Sequence, residues 1–108
     1  MKVRNLEGIR GTVVRNQFII NEGHKTWFQS YNSVIVEIDR EYQKITIGCD
    51  WDYSRTTTKY LKVFLNQELY WCGDEIEEFK KKLRKVQSST NNIFVFGGYS
   101  VVYDAGLR

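Results

Sequence analysis

Four carboxylates near strand ends, Glu37, Asp39, Asp50 and Asp52, are the side chains whose type could carry general acid–base chemistry. No His or Lys is spaced to complete such a pair. Acids at strand ends more commonly close turns, and Asp50 and Asp52 flank a helix start, where negative charge is favoured. His24 is the only histidine; with Cys49 and Cys72 it would supply three zinc ligands, but no C-x-x-C or H-x-x-x-H spacing accompanies it. Both cysteines are expected to act as small buried hydrophobes. Gly97-Gly98 precedes no helix, so it is not a phosphate-binding loop, and no G-x-S-x-G nucleophile motif is present. The chain reads as a non-enzyme with no cofactor and no metal.

Binding chemistry is better represented. Arg55, Lys59 and Lys62 stand at i, i+4 and i+7, with no acid between Tyr53 and Gln67. On a helix they share one face, roughly opposite Tyr60 and Phe64. Such a stripe could track phosphates or meet an acidic protein surface, and an ordinary solvated helix face competes with both readings. The Lys80 to Lys85 cluster is explained by the C-terminal end of a helix dipole and by solubility. Tyr31, Tyr42, Tyr70 and Trp71 could stack on bases, with core packing as the alternative. Tyr99 and Tyr103 are the next candidates for a partner-binding surface.

The elements that must position these residues follow from periodicity. Thr12 to Ile20, ending at Asn21-Glu22-Gly23, reads as a strand and hairpin loop, with a return strand from His24 to Tyr31. Ser33 to Asp39 is a strand with Val34, Val36 and Ile38 on one face; a polar turn to Gln43 and a strand from Lys44 to Gly48 follow. A helix is expected from Arg55 to Leu69, capped by Ser54, burying Thr57, Tyr60, Leu61, Phe64 and Leu65. Three consecutive threonines, Thr56 to Thr58, are unusual in a first turn because Thr loses side-chain freedom there and competes for backbone hydrogen bonds. A second helix is expected from Asp74, with Glu77 completing a capping box and Ile76, Phe79, Leu83 and Val86 inward. Beyond the Ser88 to Asn92 loop, residues 93–103 are either a hairpin around Gly97-Gly98 or one bulged strand. The class is α+β: an antiparallel β-meander of about four to six strands with two helices packed on one face.

The chain of 108 residues fits one α+β domain, 1–108, with a net charge of +3 from 16 basic and 13 acidic side chains. That balance is far from a histone-like binder and weighs against an acidic mimic of DNA, which needs a strongly negative surface. Aromatics at 15% suit a ring-rich core. No apolar run approaches the ~20 residues of a membrane span. A soluble cytoplasmic protein with reduced thiols is expected, without a membrane partner.

Two tracts carry a resemblance. Trp27-Phe28-Gln29-Ser30-Tyr31-Asn32-Ser33, then Trp51-Asp52-Tyr53-Ser54-Arg55-Thr56-Thr57-Thr58-Lys59-Tyr60 and Phe64-Leu65, follow an F-x-S-Y-x-S … W-D-Y-S-x-T-T-x-K … F-L pattern. The chain thereby resembles, over roughly residues 12–66, a family of small uncharacterised proteins encoded by bacteriophages and prophage-like elements. The resemblance implies a setting, a phage-borne accessory protein in a bacterial host cytoplasm, and transfers no functional residue. The expected function is non-enzymatic binding of a host protein or nucleoprotein complex, as an anti-defence inhibitor of the anti-CRISPR type. The alternatives are a small regulator that binds DNA or RNA through the basic helix face, and a self-assembling structural phage component. The oligomeric state stays open.

Overall fold

Alternating apolar and polar side chains joined by short polar turns favour neighbouring antiparallel strands, because each turn returns the chain beside itself with its apolar set on the same side. The computed structural model describes residues 1–8 and 10–107. Its strands are β1 (Lys2–Glu7), β2 (Val13–Glu22), β3 (Lys25–Ser30), β4 (Ser33–Asp39), β5 (Lys44–Ile47), β6 (Ile93–Phe96) and β7 (Tyr99–Tyr103). The helices are α1 (Arg55–Leu69) and α2 (Gly73–Gln87), preceded by a 3₁₀ turn over Cys49–Asp52. The strands form one seven-stranded sheet in the order β1-β2-β3-β4-β5-β7-β6. The α+β class, the meander and the two helices are as expected. β1 is a further strand, with only Val3 and Leu6 to signal it, and its Lys and Arg side chains suit a sheet edge. After the helical pair, β7 returns parallel to β5.

Residues 93–103 form a hairpin. β6 and β7 pair antiparallel around Gly97 and Gly98, whose φ angles of 57° and 83° give the primed turn that matches strand twist. Gly97 is required twice, since a Cβ there would also meet the Trp71 ring at 3.0 Å.

One face of the sheet carries Ile19, Phe28, Val36, Ile38, Ile45, Ile47 and Val101 into the core. α1 covers it with Leu61, Phe64 and Leu65, and α2 with Ile76, Phe79 and Leu83. Phe28 of β3 stacks on Phe64 of α1 at 5.3 Å, and Trp71 packs on Phe79 and Phe96 at 5.2 and 5.0 Å. The opposite face presents a cross-strand row of Val3, Ile20, Trp27, Glu37, Thr46 and Val102, the mixed composition of a half-solvated sheet.

Three local expectations are corrected. In β4 the register slips at Phe28/Gln29, so Ile35 is an extra residue whose carbonyl accepts from Gly48 N–H. The bulge turns Ile35 inward beside Val36 and leaves Val34 half-buried. α2 starts one residue before Asp74: Cys72 is its cap, with Glu75 reaching back to accept from the Cys72 N–H at 3.1 Å. That bond holds the Glu75 carboxyl below its usual value, while Glu77 pairs with Lys80 at 3.2 Å. Cys72, at this cap, is exposed, and Cys49, in the 3₁₀ turn, is half-buried, so neither is the buried hydrophobe anticipated.

Candidate functional site

The start of α1 is held by hydroxyls. Ser54 has the extended backbone of an N-cap and its Oγ accepts from Thr57 N–H at 3.1 Å, as the sequence indicated. Thr57 Oγ1 lies 3.1 Å from Ser30 Oγ of β3 and 3.2 Å from Ser54 Oγ, which ties the helix start to the sheet. Thr58 Oγ1 donates to the Ser54 carbonyl at 2.9 Å. Thr56 is exposed. The threonine run therefore divides into one buried anchor, one back-bonding residue and one residue turned to solvent.

Thr56 lines a cleft of about 620 Å³ between the β3–β4 corner and the helix start. Ser30, Ser33, Ser54 and Thr57 supply hydroxyls, Asn32 an amide, and Asp50 a carboxylate that accepts from Ser33 Oγ at 2.9 Å. Tyr31 and Tyr53 flank it, with 50% and 80% of their surface exposed. Tyr31 has φ 55°, costly for a bulky side chain, and donates its N–H to the carbonyl of Asn16, itself at φ 63°.

Arg55, Lys59 and Lys62 are exposed along the outer face of α1. Lys59 also lines a groove of about 460 Å³ with Arg10 and Arg15 from the β1–β2 segment. Its Nζ sits 5.2 Å from the Tyr60 ring centre. Among the described residues none of Arg10, Arg15, Arg55, Lys59 or Lys62 enters an ion pair, whereas Arg4 and Arg40 are engaged by Glu68 and Lys25 by Glu37. Lys62 differs from its neighbours. It leans over Gly73, and its charge adds to the Lys80 hydrogen bond that lowers the Glu77 carboxyl, so it serves the start of α2. Sequence reasoning did not find Arg10 and Arg15. They are far from α1 along the chain, and only the sheet brings them to it.

The remaining candidates lie elsewhere. Tyr99 and Tyr103 are half-buried, packed against the core on the helix-covered face, with Tyr103 Oη accepting from Gln87 Nε2 at 3.4 Å. They do not join the Arg55/Lys59/Lys62 stripe. Trp71 is buried, whereas Tyr42 and Tyr70 are exposed. Asp39 Oδ1 closes the β4–β5 turn by accepting from the Glu41 and Tyr42 N–H groups, and Glu37 accepts from Lys25 at 3.1 Å. Among the described residues no three His, Cys, Asp or Glu side chains cluster as a metal site, and no helix is long and apolar enough to cross a membrane.

Residues 1–85 match a family described as a family of unknown function, DUF8033. The chain belongs to that family. The DUF8033 span runs from β1 into α2 and takes in both the cleft and the Arg10/Arg15/Lys59 groove, while the β6–β7 hairpin lies beyond it. No curated protein and no solved structure matches the chain.

Proposed function

We propose that this protein is a non-enzymatic binding protein whose working face is the basic surface formed by α1 and the β1–β2 segment. One observation carries the reading: Arg10 and Arg15 from the β1–β2 segment meet Lys59 of α1 in one groove, Arg55 stands one turn before Lys59 on the same helix, and no carboxylate engages any of the four among the described residues. Uncompensated like charges repel one another, and a polyanionic partner relieves that repulsion. Three of the four carboxylates considered for catalysis are engaged, Asp39 in a turn, Glu37 with Lys25 and Asp50 with Ser33 Oγ, and Asp52 is exposed, which supports binding over chemistry. The partner is a host macromolecule, a protein or nucleoprotein complex, and the setting implied by the two aromatic tracts is a phage-borne accessory role of the anti-defence, anti-CRISPR type. Direct binding of DNA or RNA is a second reading, favoured by the exposed Tyr31 and Tyr53 rings beside the cations.

Affinity capture from a bacterial lysate tests the proposal, with and without nuclease and with a salt gradient for elution. The expected result is a stoichiometric anionic partner released by rising salt. Recovery of none, at low salt and in both arms, speaks against it.

A further inference from the structure

The cleft and the basic groove are neighbours along one flank of α1. On the sheet side they meet at Arg15-Asn16, because Arg15 lines the groove and the Asn16 carbonyl holds the backbone of Tyr31, which lines the cleft, at 2.6 Å. On the helix side Thr56 of the cleft and Tyr60 of the groove are i and i+4, one turn apart on the same side. The result is a path with rings and hydroxyls at one end and cations at the other.

The geometry points to a single-stranded nucleic-acid segment as the occupant of that path, with a base seated in the cleft against Tyr31 and Tyr53 and the phosphates following Arg15, Arg55 and Lys59. This rests on the reading of the basic surface as the working face and adds the class of ligand. Volume and chemistry agree. A cleft of about 620 Å³ falls in the range that holds small molecules and accommodates a base with its sugar. Its lining offers donor and acceptor at the exposed Asn32 amide and at the Thr56 hydroxyl, and spare acceptor capacity at Asp50, while Ser30, Ser33, Ser54 and Thr57 are bonded among themselves and to Asp50 and hold those groups in place. Exposed tyrosines supply faces for stacking, and a cationic groove beside them tracks the backbone. A base inside a duplex cannot enter such a cleft, so the single strand is the form it selects. A purely acidic protein patch would use the cations and leave the rings and the cleft idle.

Fluorescence anisotropy of the full chain tests this with labelled oligonucleotides of about 12 nucleotides. The arms are single-stranded DNA, single-stranded RNA and a duplex of the same sequence, each at about 50 and about 200 mM salt. Single strands are expected to bind more tightly than the duplex and to weaken with salt, and the stronger of the DNA and RNA arms names the source. Tyr53→Ala, at an exposed ring, should lower single-strand affinity about 10-fold with an unchanged melting temperature, and Tyr53→Trp should restore it. Tyr31→Asn removes the other ring while keeping a residue that tolerates positive φ, and should weaken binding similarly. Equal affinity for single strand and duplex overturns the inference. So does an unaffected Tyr53→Ala variant; if Lys59→Glu still weakens binding in that case, the basic surface stands and only the cleft is lost. Silence with every oligonucleotide also overturns it, while a protein captured on the same cations would leave the function proposed above intact.

Discussion

Gln17 carries two of the unpartnered buried polar atoms among the described residues. It is wholly buried on the helix-covered face of β2, opposite Ser30, and neither amide atom finds a hydrogen-bond partner among the described residues. An unsatisfied buried amide costs about 1–3 kcal/mol. A few ångströms away along the sheet the comparable polar groups are satisfied, since Ser30, Thr57 and Ser54 bond one another. Gln17→Leu keeps the approximate volume and removes the unmet polar atoms, so it should stabilise the fold by about 1 kcal/mol in urea melts. A loss of more than about 1 kcal/mol would mean that the amide is satisfied by something other than the chain and that the site needs it. At this scale the sequence is legible only at short range. The Ser54 cap could be read because its partner Thr57 is three residues away, whereas the Thr57–Ser30 bond spans 27 residues and no local pattern announces it.

Elements with strong periodicity were legible in kind and in facing. In α1 the expected stripe is buried at Thr57, Leu61, Phe64 and Leu65, with Tyr60 half-buried at its margin. Phe64 is fully enclosed and stacked on Phe28, so Phe64→Ala should cost about 3–5 kcal/mol, read as a lowered denaturant midpoint with an unchanged slope. A cost below about 1 kcal/mol would contradict the packing of α1 on β3. Where the reading slipped, a tertiary contact had overruled a local rule. Asp74 is a better cap residue than Cys72, but α1 closes at Leu69 with Tyr70 at φ 60°, Trp71 is buried in the link, and the cap falls two residues earlier, at Cys72. In β4, alternation alone placed Val34 inward; the bulge at Ile35, held by Gly48, exchanged the two. β1 was too weakly patterned to read, and its place comes from pairing with β2 and from Gln67 of α1 donating to the Glu7 carbonyl at 2.8 Å.

For the whole molecule, charge is distributed more informatively than its net value of +3 suggests. Glu68 engages both Arg4 and Arg40, Glu37 engages Lys25, and Glu77 engages Lys80, so each of these four cations has a carboxylate partner. The surface around Lys59 has no such compensation among the described residues. The placing of Arg55, Lys59 and Lys62 on one exposed helix face was legible, because they share one helix and follow helical spacing. Arg10, Arg15 and the two tyrosines of the cleft were not grouped with them, since only the folding of β1 to β4 beneath α1 assembles them. The measurement that tests the account most directly is a double charge reversal, Arg15→Glu with Lys59→Glu. Lys62 is left in place because it serves Glu77. Both chosen residues are exposed and neither enters an ion pair among the described residues, and at Lys59 on α1 Glu is a good helix former, so the fold should keep its melting temperature. Two new negative charges facing a polyanion should cost several kcal/mol and abolish binding of the partner that the unmodified chain captures. A variant with native melting temperature and undiminished partner binding would contradict the assignment of this surface as the working face.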